Sequence, residues 1–563
     1  MLDSSQVMET QLRSNGCPPD LRTRPWQYSN LSPVFLSLAV FLLLVGGVFF
    51  RFTNLDKKVY WHDEAVTSMW FSGLRVIEVR QALSDREIGV ADVQKYQQVN
   101  PQRGVVSCLV ALALDDPQHP PLYYGVVRIW AGWFGDSVAT VRRLSAILSL
   151  LAFPCLYWLC RELFEERLTA WVAIALLAVS PFHVLYAQEA REYSFLTVVI
   201  LLSSATLLRA LRLETKAGWA LYALTVVLGL YTSLLFGVVA VAHAIYVTGV
   251  TFCTISWRQS PFPRIIKLYL VAALVGLGAF LPWIVALAVR TVHLRGGLSW
   301  LAQDTSLLGL LDGWCYALGS VFLDLVPERE KLLAFVLRLP AVLLVFASLY
   351  FLYHGTRART WLLIFSLVGV TLLVTVVPDL AMGGQRSRFA RFALPCYVGV
   401  QLAVAYLLAT GITSPCAWHR LAWQLVLAGL LAGGFASDVL SAQAVRWWNK
   451  GHNNSIPQTA NVIKESSRPL VVSDAGPAHF GNVISLSYLL DPGTRFWLIL
   501  DSGLPTIQEG FSDVFLFKPS ESRIREFEAQ GYEVEPTSAL GLLRIRRPAA
   551  PLRDLGPLED PRP

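Results

Sequence analysis

The chain has 563 residues, 54% of them hydrophobic and 15% charged, with a mean hydropathy of +0.48. Soluble domains carry about 25% charged residues, so this composition excludes a purely soluble enzyme and fits a polytopic membrane protein with a limited soluble part. The net charge of +7 does not point to nucleic acid, because most Lys and Arg fall in short clusters between apolar runs, as the positive-inside bias produces.

Residues 1–32 are polar and read as a cytoplasmic tail. The apolar run from Pro33 to Phe50 reads as an uncleaved first helix, since a signal peptide would carry its apolar core nearer the N-terminus. Further runs predict spans over 121–160 (too long for one straight helix, hence broken or preceded by a surface helix), 168–187, 194–211, 218–232, 233–253, 268–288, 332–353, 361–377, 391–411 and 420–437. With 34–50 that is about eleven spans at ~20 residues each. The marker clusters Arg161/Arg167, Arg209/Arg212/Lys216, Arg258/Arg264/Lys267, Arg357/Arg359 and His419/Arg420 read as cytoplasmic. An odd span count puts the C-terminus opposite the N-terminus. The outer side then receives residues 51–120, 290–331 and everything after 438.

Four parts follow: a tail (1–32), a mainly α transmembrane helical bundle (33–437) with a large outer loop (51–120), a small soluble α/β domain (438–545) and a Pro-rich, charged, disordered end (546–563). The α/β reading rests on strands at 470–473, 496–500, 514–517 and 540–545 alternating with helices at 482–490 and 521–530. The eight cysteines show no CxxC or metal spacing.

Four polar segments fall on one membrane face. Asp63-Glu64, just past the first helix, is an adjacent carboxylate pair where proton abstraction or cation binding would be expected; taken alone it is equally an acidic flanking loop. In Asp115-Asp116-Pro117-Gln118-His119-Pro120-Pro121 the prolines start a helix and present His119 at its mouth, although a plain helix-entry motif would look the same. Tyr186-Ala187-Gln188-Glu189-Ala190-Arg191-Glu192-Tyr193 joins two apolar runs without the Gly, Asn or Ser of a minimal turn. Arg191 there stands on the side that positive-inside disfavours, as do Arg386, Arg388 and Arg391. Arginine on the unfavoured side argues for an anion, and guanidinium suits phosphate oxygens.

That set suits sugar transfer from a lipid-linked phosphate. Arg191, Arg391 and His119 would neutralise the leaving phosphate, and a carboxylate would take the acceptor hydroxyl's proton. An isoprenoid tail explains a site at a membrane mouth. Nucleotide-sugar chemistry would need a phosphate-binding loop, and the chain has no GxGxxG or GxxxxGK.

The ordered motifs DE (63–64), HPPLYY (119–124), SPFHVLYAQEAREY (180–193), LGLYTSLL (228–235), FLPWIVAL (280–287) and RFARFALP (388–395) resemble the polyprenol-phosphate-sugar glycosyltransferases of the GT-C superfamily. Within these they resemble the protein O-mannosyltransferase and aminoarabinose-transferase branch. The resemblance covers roughly residues 30–440. It implies an outer-face active site, Asp63 as the residue activating the acceptor, and a donor phosphate held by His119 and later arginines. The candidate site is therefore Asp63 and Glu64 for catalysis, with His119, Gln188, Glu189, Arg191, Tyr193, Arg388 and Arg391 for the donor. No metal-ligand set is dense enough to name a cofactor, although a divalent cation could sit at the carboxylate pair. Expected partners are a polyprenyl-phosphate sugar, membrane lipid, and an acceptor protein, lipid or glycan. A bacterial plasma membrane with the site facing the periplasm is the expected location.

Some positions depart from the family. Tyr231-Thr232-Ser233-Leu234 lacks the histidine of the family's YTHY-like run, and Phe392 replaces a Tyr, so acceptor identity does not carry over. A transporter or flippase would need midplane ionisable groups and a pseudo-repeat; the charges lie at the outer edge and the 51–120 loop has no counterpart. A non-catalytic scaffold would leave Asp63→Asn without effect.

Overall fold

The computed structural model describes residues 33–254, 264–290, 299–326, 332–500, 503–504, 507 and 510–546. The expected cytoplasmic tail and the Pro-rich end lie outside these residues, except Arg546, the first residue of that expected end, which is instead the last residue of a strand. The chain divides into two compact units, one of residues 1–57 with 109–449, the other of residues 58–108 with 450–563.

The first unit is helical, and every apolar run read from the sequence forms a helix. Seven helices among the described residues are long and apolar enough to cross a membrane, or eight if one bent pair is a single span. The protein is thus an integral membrane protein with a helical bundle and a small sheet. The overlong run at 121–160 is broken after Leu122–Phe134, while Val138–Leu150 and Ala152–Leu163 run on as one span-length helix, Val138–Leu163. Gly135 sits at φ 92° after the first of these, a conformation that costs glycine little.

The bent pair is Arg167–Ala178 with Pro181–Ala187, turned by 59°. Pro181 has no N–H to continue the ladder, so the break leaves carbonyls to satisfy where no water reaches. Arg51, 1% exposed, does this. It donates to the carbonyls of Ala178 (2.9 Å), Leu177 (3.0 Å) and Gly47 (2.8 Å). Across the break, Ser180 Oγ donates to Val321 O at 2.6 Å and Phe182 N to Ser320 O at 3.1 Å. Two glycines let neighbouring helices reach the break. A Cβ on Gly47 would collide with the Ala178 carbonyl, and one on Gly434, in helix Ala417–Gln443, with the Val179 carbonyl. This clamped break sets the direction of the chain through residues 181–193.

The second unit holds a six-stranded sheet: β1 (Glu87–Gly89), β2 (Pro469–Asp474), β3 (Arg495–Ile499), β4 (Asp513–Phe517), β5 (Glu533–Pro536) and β6 (Leu542–Arg546), in the order β1-β3-β2-β4-β6-β5. β2 runs parallel to β3 and β4, and the remaining pairs are antiparallel. Helix Pro477–Ser487 makes the crossover from β2 to β3, as parallel strands require. Leu470, Val472, Leu516, Phe527 and Ile545 form its core. Strands β2, β3, β4 and β6 lie where the alternation predicts them. β1 and β5 do not show in the sequence, because each is short and carries charge: Glu87 in β1, Glu533 and Glu535 in β5. β1 comes from the 51–120 loop, pairing Ile88 with Phe496 at the sheet edge.

Candidate functional site

In the first unit, the turn between Pro181–Ala187 and Tyr193–Leu213 carries three of the predicted donor residues, Gln188, Glu189 and Arg191, and a fourth, Tyr193, opens the helix after it. Arg191 is buried there, its side chain 3% exposed. Its Nη2 lies 3.2 Å from both ring nitrogens of His119, and its Nε 3.4 Å from Glu192 Oε2. His119 also faces Glu192 Oε1 (3.5 Å, to Nδ1) and Asp116 Oδ2 (3.8 Å, to Nε2). Tyr124 donates to Glu192 Oε2 at 3.1 Å, and the rings of Tyr124 and Tyr193 each lie 5.9 Å from the guanidinium. His119 and Arg191, 72 residues apart in sequence, are thus brought together in space.

Glu192 organises this cluster and was not among the predicted site residues. Burial alone would raise its pKa, but Arg191 and then His119 outweigh burial and hold it at about 2. It stands in a quoted polar stretch, and the signal available was its position one residue from Arg191. Asp116 and Tyr124, both inside the HPPLYY segment or beside it, were equally overlooked as partners.

Gln188 and Glu189 have different surroundings. The Gln188 Nε2 group donates to Phe50 O (2.5 Å) and Thr53 O (2.8 Å), capping the carbonyls at the end of helix Pro33–Phe52. Glu189 Oε2 accepts from Asn449 Nδ2 at 2.8 Å. Tyr186 lies within electrostatic reach of both Glu189 and Arg391, so the 186–193 and 386–395 segments share one region.

The run from Arg386 to Ala393 forms two short 3₁₀ turns. Asp379 anchors the first, accepting from Arg386 Nη1 (3.0 Å), Ser387 N (2.7 Å) and Ser387 Oγ (2.7 Å). Arg391 is ringed by Trp300, Phe389 and Phe392 at 5.3–5.7 Å. Arg388 is half-buried, and its Nε has no hydrogen-bond partner among the described residues.

Asp63 and Glu64 belong to the second unit. They occupy the first turn of helix His62–Phe71, where carboxylates meet the positive end of the helix dipole. Asp63 is half-buried; Glu64 is fully buried and paired with Lys450 Nζ at 3.0 Å. Among the described residues, no group of three or more His, Cys, Asp and Glu is placed to hold a metal ion.

Residues 118–285 match the family model described as dolichyl-phosphate-mannose-protein mannosyltransferase, a stretch that contains His119, Gln188, Glu189, Arg191 and Tyr193. No curated protein matches the sequence. Among solved structures, apo ArnT from Cupriavidus metallidurans aligns with a TM-score of 0.51 at 12% identity, covering 90% of this chain and 98% of that one. The same protein bound to undecaprenyl phosphate gives 0.49 at 14%, covering 92% and 98%. The Archaeoglobus fulgidus oligosaccharyltransferase, in complex with zinc and sulfate, gives 0.44 at 12% over 81% of this chain, which spans 62% of that protein's length. At such identities the likeness is one of fold. The chain therefore has the fold of the GT-C glycosyltransferases, and its residues 118–285 match the model of one of their families.

Proposed function

We propose that this protein transfers a hexose or pentose from a polyprenyl-phosphate donor to an acceptor hydroxyl, at the periplasmic face of a bacterial plasma membrane. The observation that carries the reading is the His119–Arg191–Glu192 cluster, a buried guanidinium held against an imidazole inside the segment that matches the mannosyltransferase family. That family is described by a dolichyl-phosphate sugar, which is a polyprenyl-phosphate donor.

In the reaction, the Asp63 carboxylate takes the proton of the acceptor hydroxyl, whose oxygen bonds to the anomeric carbon. The bond from that carbon to the phosphate oxygen breaks, and its electron pair leaves on the phosphate. Arg191, Arg388, Arg391 and His119 offset the charge that develops there. Glu192 engages Nε of Arg191 and so leaves the Nη2 edge toward His119 to set the direction of the guanidinium. Gln188 and Glu189 fix the turn, and Tyr193 lines it. Glu64, already neutralised by Lys450, leaves the base role to its neighbour.

Arg191→Ala and Arg391→Ala should weaken binding of a polyprenyl-phosphate sugar much more than binding of a phosphate-free isoprenoid analogue. Each guanidinium contributes roughly a charge-assisted hydrogen bond, about 1.5–3 kcal/mol, or ~10–100-fold in Kd. His119→Ala should follow with a smaller loss. Equal losses for both ligands would assign these residues to shaping the helix mouth and would remove the phosphate from the account. A transporter predicts movement of intact donor across vesicles with no sugar transferred.

A further inference from the structure

Of the Asp63-Glu64 pair, the Glu64 carboxylate is held by a residue distant in sequence. Glu64 and Lys450 are 0% and 1% exposed and lie 3.0 Å apart across 386 residues of sequence. Lys450 Nζ also stands over the ring of Trp61, 5.7 Å from its centroid. Three residues on, Asn453 Oδ1 accepts from the backbone N–H of His62 at 3.3 Å, one of the donors that a helix start leaves without an internal partner. Asn453 is itself fixed by donating to Asn482 Oδ1 at 2.9 Å. Gly481, in the helix that follows β2, packs so closely on the imidazole of His62 that any Cβ there would overlap the ring. All of these residues lie in one compact unit. The turn Trp61-His62-Asp63-Glu64 is thus gripped on a charge, a backbone donor and a ring face by residues 450–482.

We propose that Lys450, through its buried ion pair with Glu64, is a positioning residue that fixes the helix turn bearing Asp63. The segment after the last membrane helix is thereby part of the catalytic apparatus. This rests on Asp63 being the base. A buried pair is a poor source of net stability, since desolvation offsets most of the Coulomb gain. It does fix geometry: one ammonium in a dry site has one low-energy place beside its carboxylate. A misplacement of about 1 Å at a reacting group can cost on the order of 10²-fold in rate.

The test uses full-length protein in membranes, with kcat, donor KM and thermal midpoint measured for each variant. Lys450→Met should lower kcat by at least ~10-fold and leave donor KM within about twofold, because the donor phosphate is held by other residues. It also strands the Glu64 charge and can fail to fold. The double variant Glu64→Gln/Lys450→Met removes both charges, and should regain the wild-type thermal midpoint while kcat stays low. Lys450→Arg keeps the charge on a different head group and should also lower kcat at unchanged KM. Wild-type kcat in a stable double variant would overturn the proposal. So would loss of folded protein in both Met variants together with full activity of Lys450→Arg, which would make Lys450 a folding residue. Transfer retained by Asp63→Asn would instead remove the base, whatever the Lys450 variants do.

Discussion

Arg191 and Glu192 are adjacent, buried and oppositely charged, and their energetics can be read through pH. Burial opposes the Glu192 charge, yet Arg191 and His119 hold its pKa at about 2 against an ordinary 4.5. A depressed carboxyl contributes stability above its unfolded pKa and loses it as pH falls through the folded one. The contribution is therefore complete above pH 4.5 and fades between 4.5 and 2. Its size is on the order of 3 kcal/mol. Glu192→Gln should be less stable than wild type at pH 7, with the two thermal-midpoint curves converging as pH drops below 4.5. Curves that stay parallel down to pH 3 would show that Glu192 does not bear its charge against Arg191.

At the scale of elements, the broken helix at residues 178–181 determines where the site turn begins. Gly47→Leu would drive a side chain into the Ala178 carbonyl and disturb the Arg51 cap. Overpacking of this kind costs about 1–3 kcal/mol, so a lower thermal midpoint and less folded protein are expected. Gly429→Ala is the control, because nothing lies within 4 Å of its added Cβ. Equal behaviour of the two variants would mean the glycine contact does not hold the break. The helices themselves were legible in the sequence because ~20-residue apolar runs leave few alternatives, and even the interruption of 121–160 follows from length. The cause of the bend was not legible. Pro181 marks its place, but the capping group, Arg51, lies 127 residues away from Ala178 and reads locally only as the basic end of a first helix. The same holds for the site: His119 and Arg191 announce themselves by residue type, while Lys450 carries no local sign of its pairing with Glu64. Strand β1 is three residues long and becomes a strand only because β3 offers it an edge.

For the whole molecule, the positive-inside pattern gives each loop a side. In the proposed orientation, arginines 191, 386, 388 and 391 fall on the side that this pattern disfavours, and three of them (191, 388 and 391) are candidate site residues, while Arg357 falls on the favoured side. The proposed orientation predicts that Arg86→Cys and Arg525→Cys react with an impermeant thiol reagent applied from the periplasmic side. Arg357→Cys should react only after the membrane is opened. Reaction of Arg525→Cys from the cytoplasmic side alone would reverse the topology and separate the C-terminal segment from an outer-face site.

The central claim is transfer of a sugar from a polyprenyl-phosphate donor with Asp63 as base. Its most direct test incubates membranes carrying wild-type or Asp63→Asn protein with a panel of labelled polyprenyl-phosphate sugars. The label moving into the protein, lipid and glycan fractions is then followed. We predict that at least one donor passes its label to one fraction with wild type, and that Asp63→Asn binds that donor equally well while transferring it ~10²–10⁴-fold more slowly. No transfer from any donor by intact wild-type protein, or undiminished transfer by Asp63→Asn, would contradict the account.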